Sequence, residues 1–183
     1  MRISPAATGL HYAIQCFEGM KAYKDSTGRL RMFRPDLNMD RFQTSMESLA
    51  MPSLDKDNLL ACICKLLLID ESWVPAKEGY SIYIRPTAIG MSEHLGVTQS
   101  DAIKVFVILS PVGPYFKEGL KPIRLYADTL HVRAWPGGSG KFKLGANYGP
   151  TIEPTRLAAE KYGCSQVLFI ASCELASLIF HWR

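Results

Sequence analysis

The run Gly140-Lys-Phe-Lys-Leu-Gly-Ala-Asn-Tyr-Gly149 places Lys141 and Lys143 two residues apart. In an extended stretch two such side chains point to opposite sides, so one can meet solvent while the other faces a cavity. A lysine in a half-buried pocket is disfavoured as a cation, and its amine becomes nucleophilic. Such an amine forms Schiff bases with aldehydes, pyridoxal phosphate among them. Gly145 and Gly149 allow the backbone to approach a bound group closely. The same composition also describes a basic surface loop. A nucleotide phosphate loop does not fit Gly137-Gly-Ser-Gly-Lys141, because that motif needs glycine where Trp135 stands and Ser or Thr where Phe142 stands.

Other residues could complement the lysine. Arg41 falls on a helix opened by Pro35, and a guanidinium is a natural bidentate partner for a phosphate, or simply a solvated helix-face charge. Tyr83 and Arg85 alternate along one strand, which sets a phenol beside a guanidinium. Arg85 interrupts a half-buried stretch, where a charge requires an anionic partner. Tyr12, Phe17 and Tyr115 could wall an apolar pocket, or belong to plain core.

The elements that must position these residues read as follows. Met20–Tyr23 and Leu30–Phe33 form a hairpin around a turn in which Gly28 supplies a positive φ. Pro35 and Asp36 open a helix whose apolar face is Leu37, Met39, Phe42, Met46 and Leu49, and Pro52 ends it. A second helix spans Asp55 to about Ser72. Tyr80–Ile84 reads as a strand, and Ile103–Leu109, apolar on both faces, as a central one. Prolines and glycines punctuate the chain from Ser110 to Pro122, as in a linker. A strand at Ile123–Ala127, the glycine-rich segment, a helix over Thr151–Tyr162 capped by Gly163, and a strand at Gln166–Ala171 follow. Pro154 is expected a turn into that helix, removing a backbone hydrogen bond. The organisation is therefore a mixed α+β or α/β chain. Residues 1–112 form a nearly complete small domain, 113–122 a linker, and 123–183 the beginning of a larger one, since about sixty residues with open sheet edges are near the limit of independent stability.

Composition excludes several classes. Of 183 residues 48% are apolar and 21% charged, an ordinary globular balance. The net charge of +4 is too mild and too dispersed for a nucleic-acid surface. The longest apolar run, residues 59–69, is too short for a membrane span and carries Lys65. No targeting segment is visible at the start. Five scattered cysteines without a CxxC pair describe neither a disulfide framework nor a zinc site, and no metal is expected. They read as small buried hydrophobes in a reducing compartment.

The ordered runs Leu10-His-Tyr-Ala, Cys16-Phe-Glu-Gly-Met-Lys-Ala-Tyr23, Phe33-Arg-Pro-Asp-Leu-Asn-Met-Asp-Arg41, Tyr83-Ile-Arg-Pro-Thr87, His94-Leu-Gly-Val97, Phe106-Val-Ile-Leu-Ser-Pro-Val-Gly113, Val132-Arg-Ala-Trp135 and Phe142-Lys-Leu-Gly-Ala-Asn-Tyr-Gly-Pro150 cover most of the chain. In them the sequence resembles the branched-chain amino acid aminotransferases, eukaryotic in type, of the two-domain fold-type IV class. The resemblance implies pyridoxal 5'-phosphate as cofactor, with Lys143 as its Schiff-base lysine and proton shuttle. Arg41 then holds the phosphate and Tyr148 hydrogen-bonds the phenolic oxygen. Tyr12, Phe17, Tyr83 and Tyr115 line the side-chain pocket, and Arg85 receives the distal carboxylate of glutamate. Substrates would be Leu, Ile or Val with glutamate and 2-oxoglutarate, in a homodimer whose Leu95 and Val97 reach the partner subunit. A cytosolic or a mitochondrial location fits equally.

The ends depart from the family pattern. An N-terminal strand is expected to be missing, and the residues after Ala171 lack the family's motif around the acid that pairs with the pyridine nitrogen. Glu174 is a candidate for that acid. Turnover by these 183 residues is accordingly expected to be weak or nil, and the alternative is a truncated, inactive chain acting as a binding or regulatory module.

Overall fold

The computed structural model describes residues 1–114 and 121–170. The chain separates into two compact units, Met1–Gly119 and Leu120–Arg183. Tyr115, Cys173 and Glu174 lie outside the described residues.

The first unit is a five-stranded antiparallel sheet covered by helices. A short helix α1 (Thr8–Tyr12) leads into β1 (Gln15–Phe17) and β2 (Met20–Lys24), which is joined to β3 (Leu30–Met32) by the expected hairpin. Gly28 takes a φ of 81°, and the Asp25 carboxylate accepts hydrogen bonds from Thr27 and from the Arg29 backbone, closing the turn. Arg34, itself at φ 48°, turns the chain into α2 (Pro35–Ser48), with Pro35 at the first helical position. Met39, Phe42 and Met46 form its buried face, whereas Leu37 is exposed. α3 (Lys56–Ile69) begins at Asp55, whose carboxylate accepts from the backbone N–H groups of Asp57 and Asn58. It ends short of the expected Ser72, because the chain tightens into a 3₁₀ turn at Glu71–Trp73.

The central strand is β4 (Ser81–Gly90), ten residues long where the sequence suggests the five of Tyr80–Ile84. It pairs β1 and β2 on one side and β5 (Ile103–Val112) on the other. β5, expected at the centre, has β4 as its only partner among the described residues, and Ile108 is 53% exposed. An apolar run reports β-propensity and packing on two faces; it carries no information on how many neighbours the backbone has. Ser110–Val112 also belong to this strand, pairing with Ser81–Tyr83, so regular structure continues into the proline-punctuated segment.

Pro86 lies in the middle of β4, where proline is normally excluded. The Glu18 N–H donates to the Pro86 carbonyl at 2.9 Å, and Pro86 has no N–H to return. The register across the gap is unbroken, with Phe17 opposite Thr87 and Met20 opposite Ile84. β1 and β2 are thus one ribbon interrupted at Glu18-Gly19 by one missing ladder bond. Ile82, Ile84, Pro86 and Ala88 face inward, buried with Met39, Phe42, Ile63 and Leu67, while Tyr83 and Arg85 lie on the other, half-open face.

Cys16 and Cys164 are buried as expected, but Cys62 is exposed on α3. That helix is apolar around most of its circumference, so only the positions facing the core, Ile63 and Leu67, are fully enclosed. Burial, reinforced by the nearby Glu18 carboxylate, pushes the Cys16 thiol up to about 12.

The second unit pairs β6 (Leu125–Asp128) with β7 (Gln166–Phe169) in parallel, joined through the glycine-rich segment and α4 (Ile152–Tyr162). α4 packs on both strands and ends at Gly163 in the left-handed conformation. Because α4 begins at Ile152, Pro154 falls within its first turn, where the absent N–H has no intrahelical partner to lose. The backbone hydrogen bond expected to be missing there is therefore not sacrificed.

Candidate functional site

Lys143 and Tyr148 meet because the intervening chain coils tightly. Gly145–Asn147 form a 3₁₀ turn, followed by a second at Gly149–Thr151. This brings the Lys143 Nζ to 3.1 Å from the Tyr148 hydroxyl oxygen, to which it donates. Lys143 is half-buried and Lys141 exposed, which is the division of roles expected for them. Its cause differs from the expected extended strand. Ser139–Phe142 is a turn, in which the Phe142 N–H donates to the Ser139 carbonyl at 3.0 Å. Lys141 lies 4.9 Å from the Phe142 ring centre and borders a groove of about 450 Å³ with Trp135, Gly138 and Phe142.

Asn147 clamps this arrangement. Its buried amide donates to the carbonyls of Ser139 and Phe142, both at 2.9 Å, and its oxygen accepts from the Ser139 hydroxyl at 2.7 Å. Arg133 lies 5.6 Å from the centre of the Tyr148 ring. Sequence reasoning assigns no role to Asn147, Ser139 or Arg133. All three stand inside the segments quoted above, but their partners are separated along the chain by up to fifteen residues.

In the first unit Phe17, Tyr83 and Arg85 form one cluster. The Arg85 guanidinium donates to the Tyr83 hydroxyl at 2.9 Å and lies 4.3 Å from the centre of the Phe17 ring and 5.0 Å from that of Tyr83. Arg85 is two residues from Tyr83 on β4, and Phe17 reaches the same face because it pairs with Thr87 across the sheet. Glycine is required at position 19 beside them, because a Cβ there would overlap the Tyr83 hydroxyl. Stacked on rings and holding a phenol, the guanidinium tolerates an apolar neighbour as well as an acid.

Tyr12 joins a different feature, donating to the carbonyl of Leu95. Leu95 and Val97 are 68% and 78% exposed, in a loop tied down by Ser92 and Ser100. Tyr115 is outside the described residues.

Arg41 is not simply a solvated helix charge. Its Nε donates to one oxygen of Glu18 at 2.5 Å and its Nη2 to the other at 2.9 Å. Glu18 is fully buried, at 0% exposure, and also accepts from Asn38 and from the Gly19 N–H, each at 2.9 Å. Sequence reasoning misses Glu18, although its position between Phe17 and Gly19 in a short strand pair is an available signal.

Among the described residues no group of three or more His, Cys, Asp or Glu side chains could hold a metal ion, and no helix is long and apolar enough to cross a membrane.

No protein-family model matches the sequence. Individual proteins do. A branched-chain-amino-acid aminotransferase of Dictyostelium discoideum is 54% identical over 93% of this chain and 45% of its own length. The mitochondrial enzyme of that name from Bos taurus is 49% identical over 93% of this chain and 43% of its own, and the cytosolic one from Mus musculus 48% over 92% and 44%. The chain therefore spans less than half the length of these curated relatives. A crystal structure of a bacterial-type relative, the T.th. branched-chain amino acid aminotransferase with pyridoxamine 5'-phosphate, superposes with a TM-score of 0.78 at 25% identity, covering 93% of this chain and 55% of that one. The Thermoproteus uzoniensis branched-chain aminotransferase, at a TM-score of 0.73 and 19% identity over 93% of this chain and 55% of that one, shares the fold.

Proposed function

We propose, from the premise that this chain is a homologue of the branched-chain-amino-acid aminotransferases over 93% of its length, that it carries the cofactor lysine and the substrate-recognition surface of such an enzyme. The reaction is transfer of the amino group of Leu, Ile or Val to 2-oxoglutarate, with pyridoxal 5'-phosphate as cofactor. One observation carries the reading: an amine on a half-buried lysine held 3.1 Å from a phenol, inside the most distinctive matched motif.

The residues suit the cofactor's chemistry. An amine for the aldehyde, a phenol for the ring hydroxyl and a guanidinium for the phosphate are all present, as Lys143, Tyr148 and Arg41. When bound, the cofactor supplies an electron sink that lets the substrate's α-carbon part with its proton. Lys143 binds the aldehyde and afterwards takes and returns that proton. Tyr148 orients the Lys143 amine through their hydrogen bond and would donate to the ring oxygen. Arg41 neutralises the phosphate.

On the substrate side, Phe17 and Tyr83, with Tyr12 and Tyr115, are assigned to the apolar side-chain pocket. Arg85 is assigned to the distal carboxylate of glutamate and 2-oxoglutarate. When leucine occupies the pocket, the Tyr83 hydroxyl and the Phe17 ring keep the guanidinium partnered. Exposed Leu95 and Val97 are assigned to a homodimer contact. The relatives include cytosolic and mitochondrial proteins, and either compartment is proposed for this one.

The test is to add pyridoxal phosphate to purified protein and record the visible absorption band, then repeat with Lys143→Ala. A band in the wild type that is absent in the variant supports the reading. Absence from both leaves a non-catalytic binding module. Leucine-to-2-oxoglutarate transamination then measures turnover.

A further inference from the structure

We infer that Glu18 is a positioning residue for the cofactor phosphate, acting through Arg41. The inference rests on the cofactor reading above and adds a residue to it.

Glu18 is a fully buried carboxylate at the one place where the β1–β2 ribbon is interrupted. A buried carboxylate is costly unless paired and hydrogen-bonded. Here four donors meet its two oxygens: the Nε and Nη2 of Arg41, the amide of Asn38 and the N–H of Gly19. Its own N–H is fixed to the Pro86 carbonyl in the central strand. The carboxylate is therefore immobile, while the Arg41 side chain is 53% exposed and long enough to sample many rotamers without a fixed partner. Gripping Arg41 along its Nε edge fixes the plane of the guanidinium before any anion arrives. A planar fork held in place binds phosphate with less entropy lost than a mobile one.

The opposing effect is electrostatic. Glu18 offsets part of the positive charge that attracts the anion, so its removal could tighten phosphate binding. The number of donors on Glu18 decides for orientation: a carboxylate satisfied from four sides adds little net field at a distance, whereas loss of the fork removes the contact that sets the guanidinium plane.

The experiment compares the wild type with Glu18→Gln, which keeps the shape but can accept at one oxygen only. Glu18→Asp, which keeps the charge but loses reach, serves if the first variant does not fold. Affinities for pyridoxal phosphate and for unphosphorylated pyridoxal are measured on each. Loss of a charge-assisted pair predicts pyridoxal phosphate binding about ten- to hundredfold weaker with pyridoxal binding unchanged. In the cofactor-free protein, the Arg41 Nε–H resonance should lose its protection from exchange in the variant. An unchanged ratio of the two affinities, or tighter phosphate binding, overturns the inference while leaving the Lys143-dependent band in place. A wild type without that band overturns the cofactor reading, and this one with it.

Discussion

The Arg85 guanidinium and the Phe17 ring lie 4.3 Å apart although sixty-eight positions separate them in the chain, because Phe17 pairs with Thr87 across the β1–β4 ladder. The antiparallel register puts an aromatic from one strand over the cation of the next. With the Tyr83 hydroxyl accepting at 2.9 Å, the cation has partners whether or not an acid is bound.

Arg85→Gln should therefore separate the two proposed substrates. Binding of 2-oxoglutarate, followed by calorimetry on the cofactor-loaded protein, is expected to weaken about ten- to hundredfold through loss of a charge-assisted pair. Leucine binding should change by less than about twofold, since its side chain meets only apolar groups. Equal losses for both would refute the assignment of Arg85 to the distal carboxylate.

Tyr148→Phe removes the hydroxyl that accepts from Lys143 and keeps the ring beside Arg133. The visible band with pyridoxal phosphate should persist, because the amine remains. Cofactor affinity, read by titrating that band, should fall about tenfold for the hydrogen bonds lost.

Gly19→Ala tests the packing under the substrate cluster. The new Cβ would overlap the Tyr83 hydroxyl oxygen and sit 2.8 Å from its Cζ. The ring must swing away and break its bond to Arg85. The cost is expected to be about 1–3 kcal/mol by denaturant unfolding, and most of it should vanish in Gly19→Ala/Tyr83→Leu, where the obstructing ring is gone.

Asp128 gives a pH dependence. Burial works against its charge, but the N–H groups of His131 and Leu130 and the His131 ring outweigh it, holding the carboxyl below the usual carboxylate range. A carboxyl depressed in the folded state contributes stability above its ordinary value, and loses it as pH falls through the folded value. Asp128→Asn should lower the thermal midpoint at neutral pH and flatten its decline below about pH 4. Parallel acid profiles for the two proteins would contradict this.

The sequence by itself determined what is local. The hairpin at Gly28, the Pro35 start of α2, the Gly163 cap and the placement of Tyr83 beside Arg85 follow from periodicity and turn chemistry, which act between residues close in the chain. The division between Lys141 and Lys143 was legible too, though a turn clamped by Asn147, rather than an extended strand, produces it. Tertiary structure alone decided that Ile103–Leu109 lies on an edge among the described residues, that β4 runs through Pro86, and that Arg41 is gripped by Glu18. These depend on which backbone comes to lie beside which. A strand's composition reports the polarity of its faces but not its neighbours, and a carboxylate in a short motif does not reveal that a helix twenty-three residues later will bring it a guanidinium.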